Sequence, residues 1–164
     1  MDWLNEAIDK KIEKERNEKA EWKLKQQRDE QERLEGYRSA AKALNNLLPF
    51  FTNIEETLKS KGLSGELSIG ESTYVNTKET FIYQLSIVID GKVSGNKNKP
   101  TDIKNEINFS VKYDQNDKKI KIYAKYSGVD PVKIISQTKP THLNPEVVEK
   151  EAKDYFQKLW SDDT

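Results

Sequence analysis

The sequence contains no cysteine and a single histidine, His142. Without thiols there is no disulfide framework, no zinc-thiolate or iron–sulfur centre and no thiol nucleophile, although this alone does not fix the compartment. One imidazole leaves little for metal binding or for acid–base chemistry near neutral pH. Apolar residues are also scarce, at 34% of 164 residues. Ordinary globular domains, with glycine included, run at roughly 45–50%, so less of this chain than usual can be core. No apolar run approaches the roughly 18 residues of a membrane span, and charges recur throughout the N-terminal region, so neither a transmembrane helix nor a secretory signal is expected. A soluble, cytoplasmic protein without a cofactor is the expectation, and its length suits one domain with an appendage.

The 28 basic and 28 acidic residues cancel, but unevenly along the chain. Residues 1–62 are balanced, residues 63–90 and 140–164 are acidic, and residues 91–139 carry a net charge of +6. All four arginines precede residue 39, so every cation in the basic segment is a lysine, and bidentate recognition of phosphate is absent there. The abundance of Lys and Asn is the usage of an A/T-rich genome, as in many bacteria and phages, an association without mechanism.

The first third reads as helix. Trp3, Leu4, Ala7, Ile8 and Ile12 recur at helical spacing behind Asp2, a good N-cap. Over residues 13–33, 14 of 21 side chains are charged and only Ala20, Trp22 and Leu24 are apolar. Pairs such as Glu15 with Lys19 and Glu21 with Lys25 contribute about 0.2–0.5 kcal/mol each to a solvated helix. A self-contained coiled coil is not expected, because the seam begun by Leu4 and Ile8 continues through Lys11, Glu15, Glu18, Trp22, Lys25 and Asp29. Residues 1–36 are therefore expected to project as a charged amphipathic helix.

After Gly36, a possible break, the apolar positions Tyr37, Ala40, Leu44, Leu47, Phe51, Ile54 and Leu58 line one face. Pro49 predicts a kink or a new helix near Phe50. Gly62 at the C′ position with Leu63 after it predicts a Schellman stop. The period then drops to two. Residues 65–139 predict an antiparallel meander of four to five strands, the fifth at residues 132–138, with hairpins at Asp90-Gly91 and across residues 114–117 and with one face covered and one face wet. Asn144-Pro145-Glu146 predicts the start of a closing helix over residues 145–161. The fold class is α+β: a long charged N-terminal helix, then a domain of residues 37–164 whose meander has one face covered by helices.

Chemistry is harder to find. His142 stands two residues before the helix cap, as a solvent-exposed turn residue would. Residues 91–95 lack the spacing of a phosphate loop, and Asp114, Asn116 and Asp117 lack the glycine and terminal glutamate of a calcium loop. Two contact surfaces survive. One is the helical set Trp3, Leu4, Ile8, Ile12, Trp22 and Leu24, apolar anchors on a helix too charged to join a core, expected to dock on another protein or on the chain's own copies. The other, an alternative, is the Lys-rich sheet face of Lys112, Lys119, Lys121, Tyr123 and Lys125, with Lys92, Lys97, Lys99 and Lys104 in the long connection, which would bind nucleic acid or another polyanion. Lysine on exposed strands also serves as ordinary protection against aggregation. The expected function is a non-catalytic interaction or adaptor protein, ahead of the polyanion binder and of a small-ligand carrier or enzyme working between helices and sheet.

Overall fold

The computed structural model describes residues 1–89, 100–127 and 129–161. Helix α1 is Asp2–Ser60; the strands are β1 Glu66–Thr73, β2 Thr80–Val88, β3 Asn108–Asp114, β4 Lys119–Lys125 and β5 Lys133–Thr138; a short 3₁₀ turn, Pro140–His142, leads to α2, Pro145–Leu159. The strands form one antiparallel sheet in sequence order. This is the α+β meander that the change of period from 3.6 to 2 anticipates. The chain falls into two units, Met1–Glu35 and Gly36–Thr164.

Local chemistry sets the helix ends. The Met1 carbonyl accepts from the amides of Leu4 and Asn5, so Met1 holds the cap position expected of Asp2, and Asp2 lies in the first turn, where its carboxylate meets the positive end of the helix. Gly36 and Pro49 both lie inside α1. At Gly36 the requirement is space, since a Cβ there would stand 2.5 Å from the Tyr113 hydroxyl. No new helix starts near Phe50. Leu44, Leu47, Phe51 and Leu58 flank Pro49 and enter the same core cluster. Burying each is worth about 1.5–3 kcal/mol, which together outweighs the roughly 3 kcal/mol of an interior proline. The Schellman stop is present: Gly62 has φ +74°, its amide donates to Lys59 O at 3.1 Å, and Leu63 N donates to Leu58 O at 2.9 Å. Asn144 caps α2 by accepting from Glu146 N at 3.0 Å, with Pro145 at the first position.

Register builds the core. Leu67, Ile87, Phe109 and Ala124 stand side by side across four strands, and Ile69, Leu85, Val111 and Ile122 form the neighbouring row. The later turns of α1 and the buried face of α2, Val148, Ala152 and Tyr155, belong to the same cluster. At the β1 edge the buried Glu55 carboxylate accepts the Leu67 amide at 2.6 Å. The register shifts between Gly70 and Glu71 in the first ladder and between Ile122 and Tyr123 in the last.

The opposite sheet face departs from expectation. Ser68, Gln84, Ser86, Asn108 and Ser110 alternate with the core positions as polar residues should, yet each is at most 1% exposed. Part of the connection covers them: Gln84 Nε2 donates to the Thr101 carbonyl at 3.3 Å, and Lys125 Nζ donates to the Lys104 carbonyl. Period two reports polarity, and here the polar row is buried because its members satisfy one another. Gln84 Nε2 donates to Ser86 Oγ at 3.0 Å, Ser86 and Ser110 hydroxyls are 2.6 Å apart, and Ser110 Oγ donates to Asn108 Oδ1 at 2.6 Å. A hydroxyl carries one proton, so with Ser110 committed to Asn108, Ser86 must donate to Ser110, and the chain of bonds has a single direction. The expected turn at Asp90-Gly91 lies outside the described residues.

Ser110→Ala strands the Ser86 proton and the Asn108 oxygen in a buried site, and is expected to cost about 1–3 kcal/mol in urea unfolding. The double variant Ser86→Ala/Ser110→Ala is expected to cost less than the sum of its singles, since one shared bond is counted twice. Strict additivity would mean that the two hydroxyls are not coupled.

Candidate functional site

The N-terminal unit presents the first candidate surface. Trp3 is 70% exposed, Ile8 45%, Ile12 47%, Trp22 59% and Leu24 60%, while Leu4 is half-buried. Helical phase groups them unequally. At about 100° per residue, Leu4, Ile8, Ile12 and Trp22 share one side, whereas Trp3 stands some 180° from Ile12 and Leu24 some 200° from Trp22, both on the other side. A partner lying along Trp22 therefore leaves Leu24 uncovered. Between Ile12 and Trp22 this side is charged; Lys11 Nζ and Glu15 Oε1 are 3.9 Å apart on it, both well exposed.

The Lys-rich face is altered by packing. Register places Lys112 opposite Lys121, Ser110 opposite Tyr123, and Asp114 opposite Lys119. Lys121 turns back to the hairpin, its ammonium 2.9 Å from Asp114 Oδ2 and 2.7 Å from Asp117 Oδ2. Those two bonds hold the Lys121 ammonium above its ordinary pKa, and the Lys121 hydrogen bond, helped by the Asn116 amide, holds the Asp114 carboxyl below its own. Lys125 is 2% exposed. Of the five side chains expected there, Lys112, Lys119 and Tyr123 remain half-buried at the surface, while Lys121 is neutralised and Lys125 is enclosed by the connection. Lys104 is exposed but lends its carbonyl to Lys125; Lys92, Lys97 and Lys99 lie outside the described residues.

Next to this face is a feature that strand alternation does not disclose. Tyr37 from α1, Tyr83 from β2, Tyr113 from β3 and Tyr123 from β4 converge with Lys112 and Asp114 around an open pocket of about 510 Å³. The Tyr37 and Tyr113 rings meet edge-on with centroids 5.4 Å apart, and the Tyr37 hydroxyl donates to Gln115 Oε1. Burial raises the pKa of the Tyr83, Tyr113 and Tyr123 hydroxyls, so at neutral pH they are donors. Such a pocket can stack a ring and hydrogen-bond its rim. The sequence signal was present in Tyr113 preceding the Asp114 hairpin and in the aromatic start of β2, but only the return of Tyr37 from α1 closes the group.

His142 is exposed at the end of the 3₁₀ turn and borders a separate 240 Å³ hollow among Ile120, Ile122 and Val147. Among the described residues, no group of three or more histidines, aspartates or glutamates is placed to hold a metal ion, and no helix is long and apolar enough to cross a membrane. No protein family, curated protein or solved structure matches this chain.

The Lys121 bridge is open to direct test. Asp114 has a depressed pKa in the folded protein, so its stabilising contribution is present above the unfolded carboxylate value and is lost as pH falls through the folded one. Lys121→Met is expected to raise the Asp114 titration midpoint, followed by carbon-13 chemical shift, and to flatten the acid limb of stability against pH. An unmoved midpoint would show that the Asn116 amide alone sets it.

Proposed function

We propose that the chain is a non-catalytic interaction protein, in which the α+β unit is a folded platform and the N-terminal helix is the surface that docks on another protein or on a second copy. The observation that carries this reading is the exposure of Ile8, Ile12 and Trp22 on one helical side. Covering each such side chain is worth up to about 1.5–3 kcal/mol, a gain that an isolated chain forgoes. Spacing supports it as well, because anchors three and four residues apart are what a helix laid in an apolar groove uses. Acids interleaved with lysines between the anchors weigh against anionic lipid as the target.

The polyanion alternative rests on less. Lysines tracking a phosphate backbone must be free to release counterions, and Lys121 and Lys125 are already engaged within the protein. An enzymatic reading would need His142, which stands exposed and apart from the tyrosine pocket.

The full-length protein and its Ile8→Glu/Trp22→Glu variant, immobilised and exposed to extract of the native host, provide the test. The variant is expected to lose the captured species while its unfolding free energy changes by less than about 0.5 kcal/mol, as surface substitutions do. An unchanged set of captured species, or a fall of several kcal/mol, would refute the assignment of these residues to an external contact.

A further inference from the structure

We infer that the N-terminal helix pairs with the same helix of a second copy, antiparallel, in the register that sets Leu4 against the other copy's Trp22 and Lys11 against its Glu15. This names the partner of the surface assigned above, and it rests on that reading. The charges that exclude a parallel coiled coil supply the argument. Along the seam of alternating four- and three-residue steps stand Leu4, Ile8, Lys11, Glu15, Glu18 and Trp22. In a parallel, in-register pair, Lys11 faces Lys11, Glu15 faces Glu15 and Glu18 faces Glu18, so half of the layers oppose like charges.

Reversing one copy changes every layer. Leu4 now packs on Trp22, Lys11 meets Glu15, and the two-fold axis repeats both contacts, which leaves apolar ends and an ion-paired middle. Sliding by one heptad in either direction destroys the match, bringing Glu15 beside Glu18 or Leu4 beside Glu15. Lys11 and Glu15 already lie on one side of the helix, 3.9 Å apart and 75% and 65% exposed, so each is free to exchange its own neighbour for the other copy's. Ile12, 47% exposed, flanks the axis and meets its own counterpart. The cost falls where Ile8 faces Glu18 and where Lys14 approaches Lys14 across the axis. The pair is therefore weak and forms as concentration rises.

Sedimentation velocity over a concentration series, on the full chain, tests the pairing. The wild type is expected to shift from monomer to dimer, and Lys11→Glu and Glu15→Lys are each expected to lose the dimer alone and to regain it when mixed. Direction is read separately. The chain has no cysteine of its own, so Asn5→Cys accepts a single nitroxide, and the two labels of an antiparallel dimer would be about 25 Å apart, against about 10 Å in a parallel one. A wild type that stays monomeric, a dimer indifferent to Lys11→Glu, or the shorter label distance would overturn the inference. If the wild type is monomeric while capture from host extract still depends on Ile8 and Trp22, the self-pairing falls and docking on a different protein stands.

Discussion

Three aromatic rings hold the α+β unit together. Phe51 of α1 stacks on Phe109 of β3 with centroids 6.2 Å apart, and Phe109 meets Tyr155 of α2 at 5.5 Å. Phe109 stands in the middle strand of the sheet, so this one file of side chains ties both helices to its centre. Tyr155 is fully buried, and its hydroxyl is satisfied by the Lys125 carbonyl at 2.7 Å. Burial pushes its pKa above the ordinary tyrosine value, so it remains a donor at neutral pH. Tyr126 and Phe156 extend the cluster at 5.0 and 5.2 Å. With apolar residues in short supply, large rings that each bury much area are an economical way to close a core.

Much of this architecture is legible in the residues. The strands follow from alternation, the end of α1 from Gly62, and the start of α2 from Asn144-Pro145, because each signal is local and has few competing outcomes. What the sequence hides is set by contacts between distant segments. Pro49 breaks helices in general, but here both flanks are held by one core. Gly36 reads as a break and serves instead as room for Tyr113, a residue far along the chain. Ser86 and Ser110 read as wet because period two separates polar from apolar, and cannot distinguish water from another polar side chain as the partner. Lys125 looks like its neighbours on β4 until the Lys104 carbonyl, from the connection between β2 and β3, takes its ammonium.

The candidate surfaces divide along the same line. Exposure of Trp3, Ile8 and Trp22 follows from the charge density around them, a property of nearby sequence alone. The four tyrosines of the pocket come from four separated elements, and no one element carries enough of the signal to disclose the group. Leu24 shows the limit of composition: it is apolar and exposed like its neighbours, and only helical phase sets it on another side. The Lys-rich face differs again, since counting cations cannot reveal that Asp114 and Asp117 reach one of them.

The irregularities of the first and last ladders bear on how the molecule keeps its own company. An open five-stranded sheet ends in two rims of backbone donors and acceptors, each a template on which an incoming strand could lengthen the array. The extra residues, Tyr83 opposite Gly70 and Glu71 and Ile135 opposite Ile122 and Tyr123, bend those margins, and Glu55 occupies an amide that a stranger would need. Lateral recruitment is thereby discouraged at both rims, which leaves a sheet that ends where its own chain ends it.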